Sequence, residues 1–353
     1  MKKLTIAWVF PGILLCFLFG SCNQHMVNIQ AMRPADVTLS STINTLLIVD
    51  RTKYEHKSEE VIHDVFSGGI PGEDRAAAQA AITSLSNTLL QSPRFKVQVA
   101  TEVLRGNSLS EAFPDPLSWE RVNELCQEYH ADAVVSFEIF GSDFTVTSDK
   151  RQVEKDVKDD KGKDQKKQVD EFVAKGFGRI RMGIRIYDPI GMTIADQQLF
   201  TKTNNWEAKG DSKEEAIEHL IRKSNATMYV ATAAAKDYAY RISPMPVSLS
   251  RNFYSKSRKT PALESGTHQT EVNDWKSALS TWQNALSPQT PNKEAGKLCY
   301  DIAVGYEVLG NLDEAKKWAS RGYVQYGNKS ARDYVSILDG RMADVQRVDD
   351  QMK

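Results

Sequence analysis

The chain has 353 residues, of which 41% are hydrophobic and 26% are charged, a composition typical of a folded protein with two modest domains. Lysine plus arginine (45) nearly balance aspartate plus glutamate (46), which argues against a dedicated nucleic-acid-binding protein. Of the four cysteines, Cys126 and Cys299 lie outside the N-terminal segment, far apart and within amphipathic helical patterns. We interpret them as small core residues, and a disulfide or a metal pair is the less favoured alternative.

The N-terminus has the pattern of an export signal. An apolar stretch from Leu4 to Phe19 follows two lysines and ends in Gly20-Ser21-Cys22. A charged start, a short apolar stretch and small residues before the cut are typical of a secretory signal peptide, and the stretch is short for a permanent membrane span. Its last residues resemble the lipobox of bacterial lipoproteins, although Phe19 stands where leucine is commoner. The resemblance implies a signal peptide over residues 1–21 and a diacylglycerol thioether on Cys22. The alternative is an ordinary signal peptide with a coincidental cysteine.

The residues after Cys22 suggest a destination. Asn23 replaces the aspartate associated with inner-membrane retention, and no acidic cluster of the kind found in surface-exposed Bacteroidetes lipoproteins follows it. We therefore expect a lipid-anchored protein of the outer membrane whose body faces the periplasm, with exposure at the cell surface left open. Residues 22–30 would link the anchor to the body.

Residues 31–245 have the pattern of an α/β (α+β) sandwich domain, a mixed sheet with amphipathic helices. Runs rich in β-branched residues predict strands, and apolar residues at spacings of three and four predict helices. The predicted strands are Ile43–Val49, Phe95–Val99, Ala133–Phe140, Arg179–Tyr187 and a partner strand that reaches Trp206 after a turn at Asp188–Gly191. The predicted helices carry the stripes Ala78–Leu89 and Val122–Tyr129, and a long helix runs from Ser212 towards Pro244. This order of elements is similar to that of the periplasmic domains of curli-secretion-type and penicillin-binding-protein-activator lipoproteins.

Two segments read as irregular. Residues 148–168 are almost entirely charged or polar, and such a run buries too little surface to offset its ordering entropy, so we expect a solvated, disordered hairpin loop. The alternative is a charged arm that touches a partner or the membrane surface. Residues 246–270 are rich in serine and basic residues and read as a linker.

Residues 271–353 resemble an all-α tetratricopeptide-like tail, in which small and large residues alternate across helix pairs. Gly310-Asn311 would form the turn between two helices, and a plain helical bundle is the alternative. The residues that define the repeat pattern are Ala278, Trp282, Ala285, Tyr306, Gly310 and Ala315.

Several short motifs together resemble an uncharacterised family of Bacteroidetes lipoproteins with tetratricopeptide-like C-termini. Besides the lipobox and the Trp282 and Gly310-Asn311 helices, the motifs are Met32-Arg33-Pro34-Ala35, Leu47-Ile48-Val49-Asp50-Arg51 and Ser92-Pro93-Arg94-Phe95. The resemblance implies a two-part domain architecture and a location in the cell envelope. It implies no activity.

The clearest candidate for an interaction surface is a row of arginines. Arg179, Arg181 and Arg185 share one side of a predicted strand and, with Trp206, form a candidate surface for an anionic glycan, a lipid headgroup or a protein. The favoured alternative is ordinary cross-strand pairing with Asp196 and Gln198.

Other candidate sites are weaker. His56 and His63 lie beside acidic residues. We interpret them as part of a solvent-exposed surface, and a metal-binding site is the less favoured alternative. The Gly68-Gly69 loop before a helix reads as part of a cap and not as an anion site. We predict no catalytic residue, metal or cofactor.

The leading hypothesis is therefore a lipid-anchored scaffold or assembly protein, held to the membrane through Cys22, that binds envelope proteins and no nucleic acid. A repeat tail offers a groove for a peptide or helix, which is the physical reason to expect a protein partner. The alternatives are a glycan-binding lipoprotein of a nutrient-uptake system and an enzyme with an unrecognised site.

Overall fold

The computed structural model describes residues 24–52, 73–104, 112–158 and 164–353. Within these ranges a mixed α/β N-terminal region is followed by a helical C-terminal region, as the sequence predicts. The signal peptide over residues 1–21, Cys22, His56, His63 and the Gly68-Gly69 loop lie outside the described residues. In the described part of the chain, no helix has both the length and the apolar character needed to span a membrane.

The N-terminal region consists of strands and helices that alternate at first. The elements are β1 (Gln24–Arg33), β2 (Thr45–Asp50), α1 (Glu73–Leu89), β3 (Lys96–Val103), α2 (Trp119–Glu128), β4 (Ala133–Lys158), β5 (Asp164–Asp188), β6 (Thr193–Gly210), α3 (Lys213–Glu218), α4 (Lys223–Ile242) and β7 (Met245–Tyr254). The helices that follow are α5 (Ala262–Glu271), α6 (Trp275–Asn284), α7 (Asn292–Val308), α8 (Leu312–Val324) and α9 (Lys329–Met352).

The main sheet has five strands in the order β3-β2-β4-β5-β6, and β1 pairs with β7 in a separate ribbon. β2 runs parallel to β3 and to β4, whereas β4, β5 and β6 are antiparallel neighbours. The sheet is therefore mixed. Its long antiparallel part, β4-β5-β6, extends well beyond the short parallel strands.

Helices α1 and α4 cover one face of the sheet. The helix face predicted for α1, including Ala81, Leu85 and Leu89, is buried against that face together with Val230 and Ala234 of α4. α2 packs on the opposite face, where Leu125 joins a smaller core. This helix begins at the predicted cap, because the Ser118 side chain accepts a hydrogen bond from the Arg121 amide.

The structure differs from the prediction of a disordered loop at residues 148–168. Most of this segment belongs to β4 and β5, which pair in register from Ser148 opposite Ala174 to Lys158 opposite Asp164. Ion pairs cross the ribbon, among them Lys150–Asp170 and Arg151–Glu171, each with an N–O distance of 2.7 Å. The charged residues therefore stabilise a ladder through their partners on the next strand, which the composition of the segment alone does not reveal.

The long helix predicted after Ser212 is two helices, α3 and α4. The predicted cap at its start is present, since Ser212 accepts from the Glu215 amide, whereas the Glu215 carboxylate accepts from the Asp211 amide, one residue before the cap. The chain leaves the helical conformation between Glu218 and Lys223.

The domain boundaries also differ from the predicted ones. The structure divides into an α/β unit, Gln30–Val247 with Ala343–Lys353, and a helical unit whose described part is residues 24–29 and 248–342. The predicted linkers at residues 22–30 and 246–270 contain most of β1, β7 and α5. Hydrogen bonds place the C-terminus in the α/β unit, because Gln351 accepts from the Ala35 amide through its side chain and from Arg94 Nε through its carbonyl, both at 2.8 Å.

Within the helical unit, small residues mark the closest approaches between helices. A Cβ at Gly266 of α5 would lie 2.0 Å from Trp282 Nε1 of α6, and a Cβ at Gly305 of α7 would lie 2.8 Å from a methyl group of Leu279. The predicted turn between α7 and α8 is present: Gly310 has a φ of +80°, and the Asn311 side chain caps α8.

Candidate functional site

The antiparallel part of the sheet has one covered face and one open face. Residues of β5 alternate between them, so that Ile180, Met182 and Ile184 are buried on the side of α4 while the residues between them point the other way. We call the second side of β4-β5-β6 the open sheet face. Its residues are Asp143, Thr145, Thr147 and Asp149 of β4, Lys175, Phe177, Arg179 and Arg181 of β5, and Leu199, Thr201, Thr203, Asn205 and Glu207 of β6.

Apolar side chains are exposed within this face. Phe177 is 43% and Leu199 is 38% exposed, and threonine and asparagine side chains of β6 lie between them. A β-sheet face of this kind is rigid, because its backbone hydrogen bonds are made within the ladder. An exposed aromatic and an exposed aliphatic side chain on a rigid polar surface are features of protein interaction sites.

The charges of the open sheet face form cross-strand pairs. Arg179 Nε donates to Asp143 Oδ2 at 3.1 Å, and Lys175 Nζ donates to Asp149 Oδ2 at 2.8 Å. The hydrogen bond to Asp149 raises the pKa of Lys175, so the lysine remains charged at neutral pH. These pairs leave the face with little net charge. The predicted site residues Arg179 and Arg181 lie on it, and Arg181 is half-buried opposite Gly141 and Thr201.

Arg185, the third arginine of the predicted row, is buried and not part of the open sheet face. Its guanidinium donates to Gln197 Oε1 and to the Pro114 carbonyl, each at 2.7 Å, and stacks 4.7 Å from the centre of the Phe113 ring. The segment before α2 therefore covers Arg185. The sequence does not reveal this contact, because the covering residues lie about 70 positions away along the chain.

Trp206 lies on the opposite, helix-covered face of the sheet from the arginines. It pairs with Gly176 in the ladder, and its ring contacts Phe144 and Tyr229. A Cβ at Gly178 would lie 2.8 Å from the Trp206 ring, so the tryptophan packs closely over that glycine. The prediction that Trp206 shares a surface with the arginines is therefore wrong.

The cross-strand partners predicted for the arginines differ as well. The turn places Asp188 opposite Thr193, and a bulge beside Tyr187 shifts the register of the strand that follows. As a result Asp196 is buried on the helix-covered side, where it accepts hydrogen bonds from Tyr238 Oη at 2.9 Å and Arg241 Nη2 at 2.8 Å. Gln197, and not Gln198, meets Arg185.

A buried polar network that sequence reasoning missed lies beside Arg185. Arg51 Nη1 donates to Glu138 Oε2 at 2.8 Å, and Tyr187 Oη donates to Glu138 Oε1 at 2.8 Å. Burial and the neighbouring Glu138 carboxylate raise the pKa of Tyr187, which stays a donor at neutral pH. Arg51 also donates to the Asp115 carbonyl, so the network holds the same segment that covers Arg185. The signal that could have found it is Glu138, the one charged residue of the predicted strand Ala133–Phe140.

In the helical unit, the residues of the predicted repeat pattern occupy different environments. Ala278, Trp282 and Ala315 are fully buried, whereas Ala285 and Tyr306 are half-buried and Gly310 lies at the exposed turn. The buried members lie at contacts between helices, and Tyr306 Oη accepts a hydrogen bond from Gln283 of α6 at 3.0 Å.

Both cysteines of the described residues are free thiols in the core. Burial raises the pKa of each thiol to about 11, so neither is a thiolate at neutral pH. Among residues 24–52, 73–104, 112–158 and 164–353, no group of three or more histidine, cysteine or acidic side chains is placed to hold a metal ion.

Comparisons with known proteins give two family matches. Residues 43–254 match a family described as "Domain of unknown function (DUF8603)", and residues 264–340 match "Domain of unknown function (DUF6340)". No curated protein matches the chain.

Solved structures that match include two PelC dodecamers from Paraburkholderia phytofirmans. One, in space group C2, is 13% identical, covers 62% of this chain and 99% of that chain, and has a TM-score of 0.24. The other, in space group P6, is 12% identical, covers 62% of this chain and 98% of that chain, and has a TM-score of 0.22. Likenesses this distant carry no argument about this protein. Because the first family match spans more than half of the 353 residues, the chain belongs to the family described as a domain of unknown function, DUF8603.

Proposed function

We propose that the protein is a non-catalytic scaffold of the bacterial cell envelope, anchored to the outer membrane by lipid on Cys22, that assembles other envelope proteins. The lipobox-like residues before Cys22 support the anchor, and Asn23 without a following acidic cluster supports the periplasmic location. The short motifs Met32–Ala35, Leu47–Arg51 and Ser92–Phe95, together with the lipobox, support the assignment to the Bacteroidetes lipoproteins. The observation that carries the interaction role is the open sheet face.

The chemistry of this face favours a protein partner over a charged polymer. Arg179 and Lys175 are already paired with Asp143 and Asp149, so a polyanion would have to displace carboxylates before it could bind. The exposed Phe177 ring can instead be buried by an apolar side chain of a protein, with threonine hydroxyls available for hydrogen bonds at the rim.

The helical tail would supply a second surface. Its helices pack with glycine or alanine against tryptophan, as at Gly266 and Trp282, which supports a tetratricopeptide-like arrangement. A stack of helix pairs presents a groove to a peptide or helix, so one anchored protein could hold two partners.

The glycan-binding alternative needs exposed aromatic rings on which a sugar can stack. Trp206 packs over Gly178 and against Phe144, and Trp119 contacts the Tyr187 ring edge-on at 6.1 Å. Both tryptophans are engaged in packing, and the exposed rings of Phe177 and Tyr229 lie on opposite sides of the sheet, where they do not form one platform. We therefore favour the protein partner.

Site-specific photo-crosslinking in living cells tests the proposal. A benzophenone amino acid would replace Phe177 on the open sheet face. The matched control would replace Tyr229 of α4, which is 58% exposed on the helix-covered side. We expect discrete adducts with one or a few envelope proteins from position 177 and none from position 229.

A second arm of the experiment tests the anchor. The Cys22→Ala variant should lose lipid labelling and leave the membrane fraction, and its adducts from position 177 should decrease. The scaffold proposal fails if position 177 yields no protein adduct, or the same adducts as position 229, in a correctly localised protein. Retention on a polysaccharide or turnover of a cell-wall fragment would then favour the glycan-binding or the enzymatic alternative.

A further inference from the structure

A cluster of charged side chains lies within the helical unit. Arg251 of β7, Glu307 of α7, and Tyr334 and Arg341 of α9 form what we call the Glu307 cluster. The other three residues, from β7 and α9, converge on the carboxylate of Glu307, a residue that is 2% exposed.

Arg251 and Tyr334 supply three hydrogen bonds to Glu307. Arg251 donates from Nε to Oε2 at 2.8 Å and from Nη2 to Oε1 at 2.9 Å, a bidentate pair. Tyr334 Oη donates to Oε2. Burial raises the pKa of Tyr334, so its hydroxyl remains a donor. One guanidinium and one hydroxyl therefore already satisfy the carboxylate.

Arg341 is left without a matching acceptor. Its Nε is 3.8 Å from Glu307 Oε1, which is too far for a hydrogen bond, and it is buried with no acceptor among the residues that the structure describes. The side chain is only 13% exposed. Arg341 is therefore ion-paired with Glu307 only at this longer distance, and a desolvated Nε–H without an acceptor is unfavourable, so the position of Arg341 calls for a further acceptor.

The charge balance of the cluster points to the kind of acceptor. Two guanidinium groups face one carboxylate, which leaves an excess positive charge. Asp339, a nearby acid on α9, is paired with Lys316 at 2.6 Å. A guanidinium presents a planar set of donors that matches the oxygens of a carboxylate or a phosphate.

We propose that the Glu307 cluster is a binding site for a small oxyanion, a carboxylate or a phosphate group, held by Arg341 with Arg251 beside it. Arg341 supplies the fork of donors, and Glu307 and Tyr334 hold Arg251 in place. The small exposed fraction of Arg341 restricts the ligand to one that can insert a single anionic group. The site does not depend on the proposed scaffold role.

Anion titrations of the full chain test this site. Inorganic phosphate and acetate would be added separately at constant ionic strength, with chloride as the balancing ion. Binding would be followed by the melting temperature and by the nuclear magnetic resonance signal of the arginine Nε–H groups. The two anions distinguish a phosphate ligand from a carboxylate ligand. The variant is Arg341→Gln, and the matched control is Arg332→Gln, which removes an exposed arginine of the same helix that pairs with Asp333.

We expect phosphate, acetate or both to raise the melting temperature of the native chain and of Arg332→Gln, and to shift one buried Nε–H signal. Binding to Arg341→Gln should be weaker by at least about tenfold, because the charge-assisted hydrogen bonds are lost. If that variant does not fold, Arg341→Lys is the second variant. It keeps the positive charge but lacks the planar set of N–H donors of a guanidinium, and it should also bind the anions more weakly. Absence of binding by both anions to the native chain, or equal binding by the native chain and the Arg341 variant, would overturn the proposal.

Discussion

A pair of glycine substitutions tests the close packing of the helical unit. Gly266 of α5 and Gly340 of α9 both lie inside helices, but a Cβ at Gly266 would lie 2.0 Å from Trp282 Nε1 and 2.4 Å from Trp282 Cε2. No heavy atom lies within 4 Å of a Cβ built at Gly340. Trp282 is fully buried and cannot turn away into solvent.

The magnitude follows from two opposing effects. Alanine is favoured over glycine in a helix interior by about 1 kcal/mol, which acts at both positions. Overpacking a core costs roughly 1–3 kcal/mol, and a contact this short belongs at the upper end. We therefore expect Gly266→Ala to lower the free energy of unfolding by about 2 kcal/mol and Gly340→Ala to raise it by about 1 kcal/mol.

Urea unfolding followed by tryptophan fluorescence measures both variants, because Trp282 itself reports on the helical unit. The change at Gly266 should appear as a lower unfolding midpoint with an unchanged slope. A Gly266→Ala protein as stable as Gly340→Ala would refute the close approach of α5 and α6 and, with it, the packing argument for a repeat-type tail.

Three further predictions follow from buried groups of known surroundings. Glu138→Gln should lower the free energy of unfolding of the α/β unit by about 3–5 kcal/mol, because Arg51 would remain buried without its carboxylate; urea unfolding would measure this, and a loss below about 1 kcal/mol would contradict it. Burial raises the pKa of Asp301 well above its ordinary value of 3.8, so the folded state holds a proton that the unfolded state releases, and this contribution to stability falls as pH rises above 3.8. Asp301→Asn should therefore match the native chain in stability near pH 4 and exceed it increasingly towards neutral pH in melting experiments, and identical pH profiles would contradict the assignment. Cys126 and Cys299, with thiol pKa values raised to about 11, should resist alkylation at pH 8 in the folded protein and react on unfolding, as mass spectrometry of labelled peptides would show; rapid labelling of the folded chain would be inconsistent with their burial.

Features that depend on neighbouring residues were predictable from the sequence. The apolar stripe of α1 is buried, Ser118 caps α2, and Gly310-Asn311 forms the turn before α8. Each of these rests on residues within a few positions of one another, where helix geometry and side-chain caps determine the conformation.

The candidate site was predictable only in part. Arg179 and Arg181 lie on the open sheet face, but Arg185 is covered by Pro114 and its neighbours, and Trp206 lies on the other side of the sheet. The side to which a β6 residue points relative to β5 depends on the turn and the bulge between the strands. Both are properties of the hairpin register, which the spacing within one strand does not contain.

Composition was misleading where charges find partners across strands. Residues 148–168 were expected to be disordered because they contain few apolar side chains, yet Arg151 and Lys150 pair with acids of the returning strand. By itself, the sequence determined the class of the strongly periodic elements, the order of the α/β and helical regions, and the core positions of helices such as α1. Only the tertiary structure decided which arginines reach the surface, that Glu138 and Glu307 each gather donors from distant segments, and that the C-terminus returns to the α/β unit. Burial and charge pairing arise between residues that are tens to hundreds of positions apart. The periodicity of apolar residues along the chain therefore does not predict them.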